Sequence, residues 1–463
     1  VFELLLAGFV CAEAARVRRP DEQNGLLECF AWGVLIALLL NAISIVCAHL
    51  DLQVASPFNQ LLAYAYGGRE VGLVGQSNHL GMLAVLAWMG GAFLHARGRL
   101  PTAALLLITA IASLVCASSS SRTALGVFIA LTALYFVFAP AWIGPETSVI
   151  RSSISGRQEM LRDALLVGWR HPLLGAGFGR YPGDRLFELS TSLPYPNADN
   201  AHNLFGQMWA EWGMPGVAIV IATIVLVLLA LRRNWRSGAR RWEVLLPTCW
   251  VAALLLHSQV EYPLWFAHFL YPFAWMLGLM PSAGATARLA GPRLGRGAVV
   301  AVGGLLALLF VGAGIDYRRS ESLATRVLDQ VQHDPRGVAK IPKAEAMRIA
   351  EFTLFPVSAE LMQARALDID PLFADAKLKM AMTSLKALPH PETMSRYLAF
   401  LVMDGRQQQA DEFLQMIRRR SPTVATETEK MLRGLAPSNQ FIAAFLAATA
   451  SEPLSNAAPG QAH

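Results

Sequence analysis

His202 stands in the stretch NADNAHNLFGQMWAEWGMPG, residues 197–216, among Asp199, Asn200, Asn203, Gln207 and Glu211. Asn203, Gln207 and Glu211 recur every four residues and share one helical face. The positive end of a helix disfavours imidazolium, so a histidine in the first turn stays neutral and can accept a proton, as a general base must. The ordinary alternative is an interfacial histidine satisfied by water or backbone. Upstream, Arg151, Arg157, Arg162, Arg170, Arg180 and Arg185 alternate with Trp169, Phe178 and Tyr181. Guanidinium forks match phosphate oxygens in two-point contacts, which suits a phosphorylated lipid. The plainer reading of arginine among aromatics is an anchor at a membrane surface. Two more polar groups adjoin apolar runs: Gln76, Asn78 and His79 in GLVGQSNHLG, and His257, Glu261 and Tyr262 in HSQVEYPLWF. Ser121-Arg122-Thr123 sits at the start of another. Ionisable groups at such depths are costly and point to function.

The elements that position these residues are membrane spans. Of 463 residues, 54% are hydrophobic and 16% charged, where soluble chains carry about a quarter charged. Apolar runs cover roughly 1–14, 27–49, 80–96, 101–119, 123–142, 214–231, 244–260, 264–280 and 297–315. Several reach the ~20 residues that cross a bilayer. The fold expected is an all-α polytopic transmembrane bundle. Its span interiors are nearly pure Ala, Leu, Val and Ile, which argues against a channel. The net charge of +6 is explained by arginines in cytoplasmic loops and calls for no nucleic-acid partner. Five scattered cysteines, Cys11, Cys29, Cys47, Cys116 and Cys249, show no metal-ligand or disulfide spacing.

RVRRP, HARGR, RRNWRSGARR and ARLAGPRLGR mark the cytoplasmic side. Read from them, residues 50–79, the loop 144–213, the turn near 258–263 and everything after 316 face outward. One crossing is unaccounted for near residue 143. The chain opens at Val1 within an apolar run, as a sequence lacking earlier spans would. In the loop, Ser155 and Gln158 form a capping-box pattern that starts a helix near 156, and Pro172 and Gly175 end it. A second helix is expected from Asn200 as N-cap, with Pro215 separating it from the next span. The expected division is a transmembrane domain over 1–315, carrying the loop 144–213, and an exported helical domain over 316–463. In the latter, Gly405, Ala410 and Pro422 fall where a tetratricopeptide helix pair has its small and terminal residues. Ala359, Ala366 and Pro371 fit the same phase, but at a spacing that supports no regular array.

SSSSRTALG, SGRQEMLRDALLVGWRHPLLGAGFGRY, NAHNLFGQMWAEWGMPG and HSQVEYPLWFAHFLYPF, in this order, resemble the bacterial O-antigen ligase superfamily. Within it the chain looks most like the PglL-type protein O-oligosaccharyltransferases, the pilin glycosylases. The resemblance implies transfer of a glycan from an undecaprenyl-diphosphate carrier to Ser or Thr of an exported, pilin-like protein. It implies an enzyme of the bacterial inner membrane, working on the periplasmic face without metal or other cofactor. His202 matches the essential loop histidine. Arg122 matches the arginine that holds the diphosphate, with Arg157 or Arg180 assisting. Gln76, Asn78, Asn203, His257, Glu261 and Tyr262 would support the donor or acceptor site. The family's Gln-Pro-Asn is Gln76-Ser77-Asn78 here. Alternatives are a ligase or polymerase using the same donor with a lipid A core or glycan acceptor, and a non-enzymatic membrane scaffold or transporter.

Overall fold

The computed structural model describes residues 2–15, 17, 20–50, 65–66, 69–121, 124–126, 128–129, 154–189, 199–236, 242–280, 301, 304–305, 308–309, 311–316, 318–319 and 367–450. The protein is an all-α, multi-pass membrane protein. Contacts divide the chain into two compact units. One comprises Val1–Arg157, His202–Met208 and Pro215–Arg293, and the other Gln158–Ala201, Trp209–Met214 and Leu294–His463.

The first unit holds α1 (Phe2–Ala14), α2 (Pro20–His49), α3 (Ser77–Ala96), α4 (Thr102–Ser119), α8 (Trp242–His257) and α9 (Ala267–Leu279), with a two-residue ladder of β1 (Ala65–Tyr66) and β2 (Arg69–Glu70). α5 (Ile154–Arg170) and α7 (Leu204–Arg236) each have residues in both units, and α6 (Tyr181–Glu188) belongs to the second. Four described helices are long and apolar enough to cross a membrane, carried by α2, α3, α4 and α7. These agree with the runs at 27–49, 80–96, 101–119 and 214–231. α8 and α9, with 16 and 13 residues, fall short of the ~20 needed for a full crossing. The run at 123–142 and the missing crossing near 143 lie almost wholly outside the described residues.

α3 is apolar on every side because it is enclosed on every side: Leu80, Met82, Leu86, Phe93 and Leu94 are buried. It packs on α2, α4 and α8. α7 instead leaves Ile219, Ile221, Val225 and Leu228 exposed, as a surface bathed in lipid requires. Arg97 and Arg99 of HARGR both pair with Glu28, at 3.0 and 3.1 Å.

The second unit joins the loop helices to the C-terminal segment. α10 (Ala374–Ala387), α11 (Pro391–Met403), α12 (Gln407–Arg420), α13 (Pro422–Leu435) and α14 (Gln440–Ala450) share a core with Leu186 of α6. Gly405 lies in the α11–α12 turn with a positive φ of 76°, Ala410 is buried, and Pro422 opens α13. Arg420 donates to the carbonyls of Leu186 and Arg185. Arg185, itself 1% exposed, pairs with Asp163 of α5 at 2.6 Å. The Tyr181 hydroxyl donates to the Met160 carbonyl at 2.9 Å, fixing α6 on α5.

The turn after α5 is closed by main chain. Ala176 and Gly177 donate to the carbonyls of Ala210 and Glu211, and Met214 donates to that of Pro172. Gly175, at φ +72°, lies so close to the peptide of Glu211 that a Cβ would meet its carbonyl carbon at 2.1 Å. The expected break in the following helix is present, but at Gly213 (φ 60°, ψ −144°) rather than at Pro215. Proline has no N–H for the preceding turn and crowds the residues before it, and glycine alone adopts that backbone without strain.

Candidate active site

The polar residues of the first unit converge on the HSQVEYPLW turn. α8 ends at His257, whose carbonyl accepts the N–H groups of Val260 and Glu261 at 3.1 and 3.0 Å. Pro263 then opens a 3₁₀ turn, Pro263–Trp265. Between them Glu261 is fixed with its side chain 2% exposed.

α7 approaches the same turn by its N-terminus. Leu204 donates its N–H to the Ser258 carbonyl at 2.7 Å, satisfying a donor that a helix start leaves free. Asn203 is the N-cap: its Oδ1 accepts from Gly206 at 2.9 Å, while its Nδ2 donates to the Gln259 carbonyl at 3.0 Å. One side chain thus caps the helix and ties it to the turn. The expectation that Asn200 caps this helix is corrected, and His202 lies just before the cap rather than in the first turn. His202 has φ +49°, a left-handed conformation that costs a non-glycine residue about 1–2 kcal/mol. The surrounding bonds hold it there.

That conformation turns His202 toward Glu261. Its Nδ1 lies 3.2 Å from Oε2 of the carboxylate. Oε1 accepts from Asn78 Nδ2 at 2.7 Å and from Arg157 Nη2. The Tyr262 ring meets the His202 ring edge-on at 4.8 Å and stacks on Phe266 at 5.9 Å. Burial alone would raise the Glu261 pKa. The hydrogen bond and charge of His202, and the charge of Arg157, outweigh it and hold the carboxyl below its usual value.

An ionised carboxylate only accepts hydrogen bonds. It therefore places the proton of a neutral His202 on Nδ1 and leaves Nε2 with a free lone pair. The base, the orienting acid with its aromatic wall, and the two groups that hold the acid come from four segments far apart in sequence: His202 before α7, Glu261 with Tyr262 between α8 and α9, Asn78 at the start of α3, and Arg157 in α5.

The structure brings together six of the residues singled out in the sequence: Asn78, Arg157, His202, Asn203, Glu261 and Tyr262. Gln76 occupies the N-cap position of α3 without a side-chain cap bond. Its Oε1 and both ring nitrogens of the fully buried His257 have no hydrogen-bond partner among the described residues. Arg180 lies in the second unit at the start of α6, where its carbonyl accepts from Asp184 at 3.0 Å. Arg122 falls outside the described residues. Its neighbour Ser121 is buried and its hydroxyl accepts the Ala124 N–H at 3.3 Å. Sequence reasoning missed the main-chain carbonyls of Ser258 and Gln259, which carry no side-chain signal. It also treated Glu261 as one supporting residue, where it is the group on which the others meet.

Residues 84–221 match the O-antigen ligase family, and residues 245–429 match a family described as virulence factor membrane-bound polymerase, C-terminal. No curated protein matches the chain. The two matches support the O-antigen ligase superfamily, whose members are membrane glycosyltransferase-like enzymes of ligase or polymerase type. His202 falls within the first matched stretch, Glu261 and Tyr262 within the second.

Proposed function

Taking the chain as a member of the O-antigen ligase superfamily, we propose that it moves a glycan from an undecaprenyl-diphosphate carrier to a Ser or Thr hydroxyl of an exported, pilin-like protein. The site faces the periplasm from the inner membrane. The observation that carries this reading is the His202–Glu261 contact, because it fixes which nitrogen of the imidazole is basic.

Glu261 holds Nδ1–H, and Nε2 takes the proton of the acceptor hydroxyl as its oxygen bonds to the anomeric carbon. The bond from that carbon to the diphosphate oxygen breaks, and the lipid diphosphate leaves with the electron pair. Negative charge therefore grows on the leaving group, and fixed cations there lower the barrier. Arg157 supplies one guanidinium already held by Glu261. Arg122 and Arg180 are candidate diphosphate-binding residues by the motifs in which they stand. Tyr262 walls the imidazole, Gln76 offers a hydrogen-bonding amide to a polar substrate, and His257 supports the turn that carries Glu261.

The matches to a membrane-bound polymerase and to O-antigen ligase support a second reading, in which the acceptor hydroxyl belongs to a glycan or a lipid A core. The chemistry at His202 is the same. The purified chain is given one lipid-linked glycan and, in separate reactions, a pilin, a lipid A core and a glycan. A pilin mass raised by one glycan supports the first reading. Product only with a carbohydrate acceptor replaces it with the second. No product with any acceptor contradicts both.

A further inference from the structure

No spacing in the sequence announces a metal site, yet the second unit assembles a set of ligands of its own. Asp184 and Glu188 stand four residues apart on α6 and so share one face. His171 follows the end of α5. A ring nitrogen of His171 and one carboxylate oxygen from each acid all lie within 4.8 Å of one another, and all three residues are half-buried. His171 Nε2 faces both oxygens of Glu188, at 3.2 and 3.1 Å. Arg170 donates to the main-chain carbonyl of Glu188, which fixes the end of α6 beside the imidazole.

We propose that His171, Asp184 and Glu188 bind a divalent transition-metal ion, with zinc the best fit. One imidazole and two carboxylates form a zinc donor set, with a fourth position left for water. Donors about 2.0–2.2 Å from a tetrahedral ion lie roughly 3.4 Å apart, so the widest pair here needs only a modest rotamer adjustment. Selectivity follows from the surroundings. Arg170 lies 3.9 Å from Glu188, and the charges of Arg180 and Lys386 reach Asp184. These cations oppose any ion held by charge alone. Ca²⁺ and Mg²⁺ prefer oxygen-rich shells and gain little from an imidazole, whereas zinc gains a strong bond from it. The ion staples α6 to the end of α5. It takes no part in the reaction proposed at His202, and either idea can fail without the other.

The test uses the full chain in detergent, without a histidine tag and stripped by chelator. Zinc is titrated against a chromophoric competitor, and thermal melting is followed with zinc, calcium or magnesium. One zinc equivalent is expected, with a melting temperature that rises with zinc and not with the other two. His171→Ala and Glu188→Gln should each lose the equivalent and the rise. Co²⁺ in the stripped parent should give the visible bands of a nitrogen–oxygen tetrahedral site, a readout that needs no variant. The proposal is overturned if the parent takes up no equivalent, if both variants keep it, or if Co²⁺ gives no such bands.

Discussion

Glu261 divides its two carboxylate oxygens between two tasks. Oε2 faces His202 Nδ1 at 3.2 Å, while Oε1 is held by Asn78 at 2.7 Å and by Arg157. The residue that orients the imidazole is itself oriented by an amide and a guanidinium. Glu261→Gln breaks this arrangement, because the new amide can donate to Nδ1 and drive the ring proton onto Nε2. Turnover should fall by about 100-fold or more. Initial rates of glycan transfer by the purified variant check this, and a rate within a few-fold of the parent would remove Glu261 from the mechanism.

The same carboxylate predicts a pH dependence of stability. Its pKa in the folded protein lies below its ordinary value of 4.5. A group depressed on folding contributes stability that is fully present above the unfolded pKa and is lost as pH falls through the folded one. The melting temperature of the parent should therefore exceed that of Glu261→Gln by a constant margin at neutral pH. The margin should shrink below about pH 4.5 as the carboxyl protonates. Paired melts from pH 7 to pH 3 measure it, and a margin that grows with acid would reverse the sign.

Asn203 has two functions that substitutions can separate. Asn203→Ala loses the cap, worth about 1 kcal/mol, together with the bond to Gln259. Asn203→Asp keeps an acceptor for the Gly206 N–H but has no donor for the Gln259 carbonyl. The aspartate variant should melt closer to the parent than the alanine variant, yet transfer glycan more slowly than the parent, because one of the bonds that tie the His202 segment to the turn is lost. Equal melting temperatures for the two variants would deny the cap its role.

In the second unit, the Asp163–Arg185 pair is almost fully enclosed, with side chains 4% and 1% exposed. Asp163→Ala removes the carboxylate paired with a buried guanidinium and should cost about 3–5 kcal/mol. A lowered thermal midpoint is the readout, and a change under about 0.5 kcal/mol, as at an ordinary surface site, would contradict the packing described.

Much of this was legible in the sequence because bilayers impose one pattern. Long apolar runs gave α2, α3, α4 and α7, with limits close to those observed for α3 and α4, while α2 starts earlier and α7 takes in the residues from Leu204 onward. The site residues were legible as types: a histidine, a carboxylate and amides beside apolar runs. Their placement on one face suggests a shared cavity, but which of them pair was not legible, because Asn78 and Glu261 are 183 residues apart and only tertiary packing joins them. Local chemistry also misled. Asn200 and Asn203 are equally good caps by residue type, and the Ser258 carbonyl, which accepts from Leu204, settles where the helix starts. Likewise Pro215 signalled a break, but the strained backbone fell on the nearest residue able to adopt it, Gly213. His171, Asp184 and Glu188 carried no recognisable spacing, since the turn between α5 and α6 brings them together.

The most direct test of the central claim is the transfer rate of His202→Ala beside the parent, with purified protein, a lipid-linked glycan and a pilin acceptor. Removing a general base predicts a loss of about 100- to 10,000-fold with donor binding and melting temperature retained. Full transfer by a folded His202→Ala protein would contradict the assignment of His202 as the base.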